Sequence, residues 1–125
     1  MKIFSVEEAN ALIPSVRRLV ESIQRQHNRL LSFQTTARYA AEGAENGGGG
    51  MPEGPGYVVI LTKLADSTGK LESMGVQLKD YSRGLIDFPS LRDGRVVLLC
   101  WQLGEGDEVQ WWHDVDAGFA GRQPL

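Results

Sequence analysis

Between Ala9 and Ala37, apolar or small residues recur at Ala9, Ile13, Val16, Val20, Ile23, Leu30 and Ala37, always three or four apart once His27 and Gln34 are placed in the same stripe. Such a period describes one face of a long amphipathic helix with a coiled-coil-like seam. Ser5 and Glu8 form a capping box ahead of it, each side chain satisfying a backbone donor at a helix start, so a helix is predicted from Val6 to about Ala41. Some 35 residues of helix span about 50 Å, more than one small globule covers by itself. The seam therefore asks for a second helix and, beyond that, for a partner. Pro14 lies inside the pattern and removes one backbone hydrogen bond, which predicts a kink near residues 10–14.

Residues 43–56 hold seven of the fifteen glycines, beside Pro52 and Pro55, and offer little to bury. They read as a flexible surface linker. Four consecutive glycines after a helix do not make a phosphate-cradling loop, which needs a strand before it and a helix after it. Tyr57, Leu61, Leu64, Leu71 and Met74 then recur at helical spacing, with Gly75 where a C-cap belongs. A second helix over 57–74 follows, although Tyr57 to Leu61 also has strand propensity.

After Gly75 the period changes to two. Val76 to Leu78 reads as a short strand, and Leu85 to Phe88 as another that Pro89 should end. Arg95 to Leu103 is the strongest strand, entered through the turn dipeptide Asp93-Gly94, and Gly104 to Asp107 turns the chain back into Glu108 to His113. The expected fold is α+β, a helical hairpin over about 6–74 packed on a small antiparallel sheet over about 76–125, the whole chain forming one domain.

Charge and cysteine content restrict function. Thirteen basic against sixteen acidic residues give a net charge of −3, which argues against a nucleic-acid backbone as the main target. Residues 1–41 hold six Lys and Arg against three Glu, whereas 42–125 hold seven against thirteen acids, an asymmetry that can steer one copy onto another. Cys100 is the only cysteine, so no intrachain disulfide forms, and neither a signal-peptide run nor a membrane-length apolar run is present. The expectation is a soluble cytoplasmic protein with no membrane partner.

Several words are distinctive when taken together: Glu7-Glu8-Ala9-Asn10, Asp80, Arg83-Gly84-Leu85-Ile86-Asp87-Phe88-Pro89, Leu99-Cys100-Trp101 with Gly104-Glu105, Trp112-His113, and Gly118-Phe119-Ala120-Gly121-Arg122-Gln123-Pro124. In these the chain resembles the bacterial family called domain of unknown function 2203. The resemblance covers nearly the whole chain and implies neither an activity nor catalytic residues.

The residues themselves suggest one candidate cluster. If Leu103 faces Glu108 across the last hairpin, Cys100 faces Trp111 and Leu98 faces His113, which puts Cys100 and His113 diagonally on one sheet face. Thiolate and imidazole serve both cysteine nucleophiles and zinc sites. Asp87, Asp114, Asp116, Glu105 or His27 would have to complete a metal site; the plainer reading is a buried thiol and a hydrogen-bonded histidine. Arg122, in a glycine-flanked tail, can hold an anion or form an internal salt bridge, and Asp87 between Ile86 and Phe88 is its expected partner. Adjacent Trp111 and Trp112 must point to opposite sheet faces, so one indole lies away from the helices. Two functions follow: a homo-oligomeric interaction or ligand-binding module, expected as a dimer through its helices, or a small metal-assisted or cysteine-dependent enzyme around Asp87, Cys100, His113 and Arg122. No cofactor is implied beyond a divalent metal in the second case.

Overall fold

The computed structural model describes residues 1–45 and 54–125. Helix α1 spans Val6–Glu45 and α2 spans Gly54–Met74; a five-stranded sheet follows, with β1 at Gln77–Asp80, β2 at Leu85–Arg92, β3 at Arg95–Gln102, β4 at Trp111–Asp114 and β5 at Gln123–Pro124. The strands lie in chain order and every neighbouring pair is antiparallel. Two helices on an antiparallel sheet make this an α+β fold, as the change of period from helical to alternating implied.

The start of α1 is the expected capping box: Ser5 N–H donates to Glu8 Oε1 and Glu8 N–H to Ser5 Oγ, both at 3.0 Å. These bonds hold the Glu8 carboxyl below its ordinary value, the backbone bond at Ser5 being the largest cause. Ala9, Ile13, Val16, Val20 and Ile23 are all fully buried, so the stripe faces the core as expected. Helix α1 continues through Pro14 and past Ala41 to Glu45. The expected linker is shorter than 43–56, because its first three residues belong to α1 and its last three to α2; residues 46–53 of it lie outside the described residues. The C-terminal end of α2 is closed by a paired motif, in which Val76 N–H donates to the Leu71 carbonyl at 3.1 Å and Gly75 N–H to the Glu72 carbonyl at 3.0 Å. Val76 and Leu71 are both core residues, which gives that motif its apolar contact.

The sheet has two distinct faces. Ile86, Phe88, Val97, Leu99, Trp101 and Trp112 point at the helices and join the α1 stripe, Phe4 and Leu71 in one core. Asp87, Leu98, Cys100, Trp111 and His113 occupy the opposite face by register.

Pro89 does not end β2; it pairs with Leu98, and the strand runs on to Arg92. The Pro89 carbonyl accepts the Phe4 N–H at 2.7 Å. In an antiparallel strand the N and O of one residue point to the same side, so the ring nitrogen of Pro89 also points away from β3. No ladder bond to β3 is lost. Ser90 Oγ donates to the Phe4 carbonyl at 2.6 Å and completes the seal along this edge. The turn from β2 to β3 is the two-residue Asp93-Gly94 loop, with φ of 51° and 77°, the mirror-image geometry that suits the twist of a hairpin.

Candidate metal centre on the outer sheet face

Register alone builds the site. Asp87 pairs with Cys100, Cys100 with Trp111, and Leu98 with His113, as the 103–108 pairing implied. The loop does not begin where that reasoning began, however. Strand β3 ends at Gln102 and β4 begins at Trp111, so residues 103–110 form a wide loop rather than a tight turn. Helix α1 holds it: Asn10 Oδ1 accepts the Val109 N–H at 2.7 Å, and Arg17 Nη2 donates to the Gly106 carbonyl at 2.6 Å and to Asp107 at 2.8 Å. The sequence marked Asn10 only as part of the Glu7-Glu8-Ala9-Asn10 word and gave it no role. Its helical position hid a task that belongs to a loop 99 residues away.

Asp87, Cys100 and His113 are 1%, 1% and 3% exposed, and their ligand atoms all lie within 4.8 Å of one another. His113 Nδ1 sits 2.8 Å from the Asp114 carbonyl oxygen, which can only accept, so Nδ1 carries a proton. His113 Nε2 lies 3.1 Å from Asp87 Oδ1, and one further proton is shared between these two atoms. The Cys100 sulfur lies within 4.8 Å of the Asp87 carboxyl and of the His113 ring nitrogen. Asp87 is thus the hub, bonded to His113 and flanked by Cys100.

Burial pushes the Asp87 carboxyl above the ordinary carboxylate range, against the pull of His113 and Cys100. Burial, reinforced by the charge of Asp87, pushes the Cys100 thiol up to about 12. A cysteine nucleophile needs the reverse, a lowered value and an adjacent base bonded to sulfur. Two surface cavities, one beside Leu71, Gly75 and Val76 and the other beside Phe4, Glu8 and Leu12, are lined by none of the three residues. The geometry therefore lends the cysteine-dependent reaction no support.

Arg122 is the fourth candidate, and its partner is Glu105 rather than Asp87. Its Nη2 donates to both carboxylate oxygens at 2.7 Å, while the guanidinium lies over the rings of Trp111 and Phe119, 5.0 and 4.7 Å from their centroids. Asp87 finds its partner within the sheet, in His113, and so leaves Arg122 free for another acid. Glu105 is presented to it because the loop is cinched at its base, where Gln102 N–H donates to Glu105 Oε1 at 2.8 Å. Both charges remain close enough to act on the Cys100 thiol, Arg122 lowering its value and Glu105 raising it. The tail does not hang free: Gln123 and Pro124 pair with Trp112 and Trp111, adding a fifth strand that alternation in two residues could not announce. Trp111 is the indole that faces away from the helices.

The other candidates stay apart from this cluster. His27 stacks on Tyr81 with centroids 5.4 Å apart, at the edge of the sheet. Asp114 binds Arg95, its Oδ1 accepting from Nε at 3.0 Å.

The words that carry the resemblance thus occupy connected positions: the capping helix start, the β2 edge, the hub, the cinched loop and the tail. The family model for an uncharacterized conserved protein, domain of unknown function 2203, matches residues 2–125. The chain belongs to the DUF2203 family. No curated protein and no solved structure matches this DUF2203 chain. Membership supplies no activity, so the chemistry of the DUF2203 fold has to be argued from its own residues.

Proposed function

We propose that this DUF2203 protein is a single-domain, cytoplasmic interaction module that works as a homo-oligomer through its helical hairpin, with no nucleic-acid or membrane partner. One observation carries the reading. The shared core ends at Ile23 on α1 and at Leu64 on α2, yet α1 continues to Glu45 and α2 begins at Gly54. Among the described residues, the bonds that tie the middle of α1 to the sheet side are Gln24 Nε2 donating to the Ser82 carbonyl and the contact of His27 with Tyr81. Further along, among the described residues, Ile60 is buried and Phe33 of α1 meets Tyr57 of α2.

Two helices bury one stripe each and leave the rest wet. On this arm Leu31, Val58, Val59 and Leu61 are 46%, 60%, 51% and 39% exposed. Apolar residues gathered on a protruding pair of helices mark an interface, and a second copy of the same arm, related by a twofold axis, offers the same residues back. The excess of base in residues 1–41 and of acid in the remainder favours such self-association. Among the described residues no helix is long and apolar enough to cross a membrane.

Sedimentation equilibrium at micromolar concentration tests the proposal. A dimer that dissociates in a Val58→Glu/Leu61→Glu variant of unchanged circular dichroism supports it. A wild-type monomer sinks it.

A further inference from the structure

We propose that Asp87, Cys100 and His113 form a buried three-ligand site for a divalent transition metal of the zinc class. This stands apart from the oligomer reading, which rests on the helical arm.

The donor set is the first argument. Thiolate, imidazole and carboxylate together suit zinc and its first-row neighbours, whereas magnesium and calcium want oxygen alone. Geometry is the second. A tetrahedral zinc site with bonds of about 2.0–2.3 Å places its ligand atoms about 3.3–3.8 Å apart. His113 Nε2 and Asp87 Oδ1 are already 3.1 Å apart, and all three ligand atoms lie within 4.8 Å of one another, so the cluster needs only a small adjustment. The third argument is orientation. The Asp114 carbonyl holds Nδ1 of His113 and aims Nε2 into the cluster, the arrangement by which metal-bound imidazoles are fixed in tautomer and direction.

On binding, any protons on the three ligand atoms leave to solvent, and the Cys100 thiolate, the Asp87 carboxylate and the neutral His113 imidazole would hold the cation.

The probe is Co2+ added to metal-stripped full-length protein. The expected result is one Co2+ per chain, with a sulfur-to-cobalt charge-transfer band in the near ultraviolet that excess Zn2+ abolishes. Cys100→Ser should remove the band, and His113→Gln and Asp87→Asn should each weaken binding by about tenfold or more, since loss of a direct ligand costs at least what loss of its supporting shell does. Absence of one-to-one binding in folded wild-type protein would overturn the proposal, as would a band that survives Cys100→Ser. Should a variant fail to fold, the wild-type band decides alone.

Discussion

Cys100 and Arg122 show how neighbours dictate what a side chain can do. In the unfolded chain the Cys100 thiol ionises near its ordinary value of 9.0, whereas in the fold it holds its proton up to about 12. Between those limits only the unfolded state loses the proton. Stability of the metal-free protein should therefore fall as pH rises above 9.0 and level off near 12, at up to about 1.4 kcal/mol per pH unit. Urea unfolding across that range should show the slope, and Cys100→Ala should flatten it. By the same reasoning iodoacetamide should leave folded protein unlabelled at pH 8 and label it rapidly in denaturant. The pair of Arg122 and Glu105 has side chains only 11% and 18% exposed, so breaking it strands a mostly buried charge. Arg122→Gln should cost about 2–4 kcal/mol, and a double-mutant cycle with Glu105→Gln should return a coupling above about 1 kcal/mol. An additive cycle would mean that the ring contacts, and not the carboxylate, hold Arg122.

At the scale of elements, the sheet is joined to α1 through positions that tolerate little. Gly84 has φ of +62°, and a Cβ built there meets Val20 Cγ1 at 2.6 Å and Leu103 Cδ1 at 2.7 Å. Its neighbours are a core side chain of α1 and the first residue of the 103–110 loop. Gly84→Ala must push α1 off the sheet or move the loop, beyond the cost of the left-handed backbone itself. A loss of about 2–4 kcal/mol in denaturant unfolding is expected. Gly69, which has nothing within 4 Å of an added Cβ, is the control: Gly69→Ala in mid-helix should stabilise by up to about 1 kcal/mol. Equal effects at the two sites would contradict this account of the packing.

Over the whole molecule, α1, α2 and the sheet share one core, and two of the three tryptophans, Trp101 and Trp112, are buried in it at 1% and 5% exposure. Indole fluorescence therefore reports the joint between helices and sheet, while far-ultraviolet circular dichroism reports mainly helix. The two signals should follow one urea transition with a common midpoint. Separated midpoints would mean that hairpin and sheet unfold as distinct units, and would remove the single-domain expectation.

The sequence by itself determined whatever depends on neighbours within a few positions. Periodicity named the buried face of α1, the Ser5–Glu8 pair named its start, Asp93-Gly94 named a hairpin, and counting outward from the last turn put Cys100 opposite Trp111. Alternation likewise sent Cys100 and His113 to one face, because a side chain's face in a strand is a matter of parity, whereas the β2–β3 register brought Asp87 to join them. Tertiary structure alone decided the partners. Asp87 chose His113 over Arg122, Arg122 chose Glu105, Asn10 reached the β3–β4 loop, and Pro89 stayed in its strand because its nitrogen happened to face Phe4 rather than β3. Each of these choices was a competition among several chemically suitable groups. Distance settled it, and distance between residues far apart in the chain exists only after the core has formed.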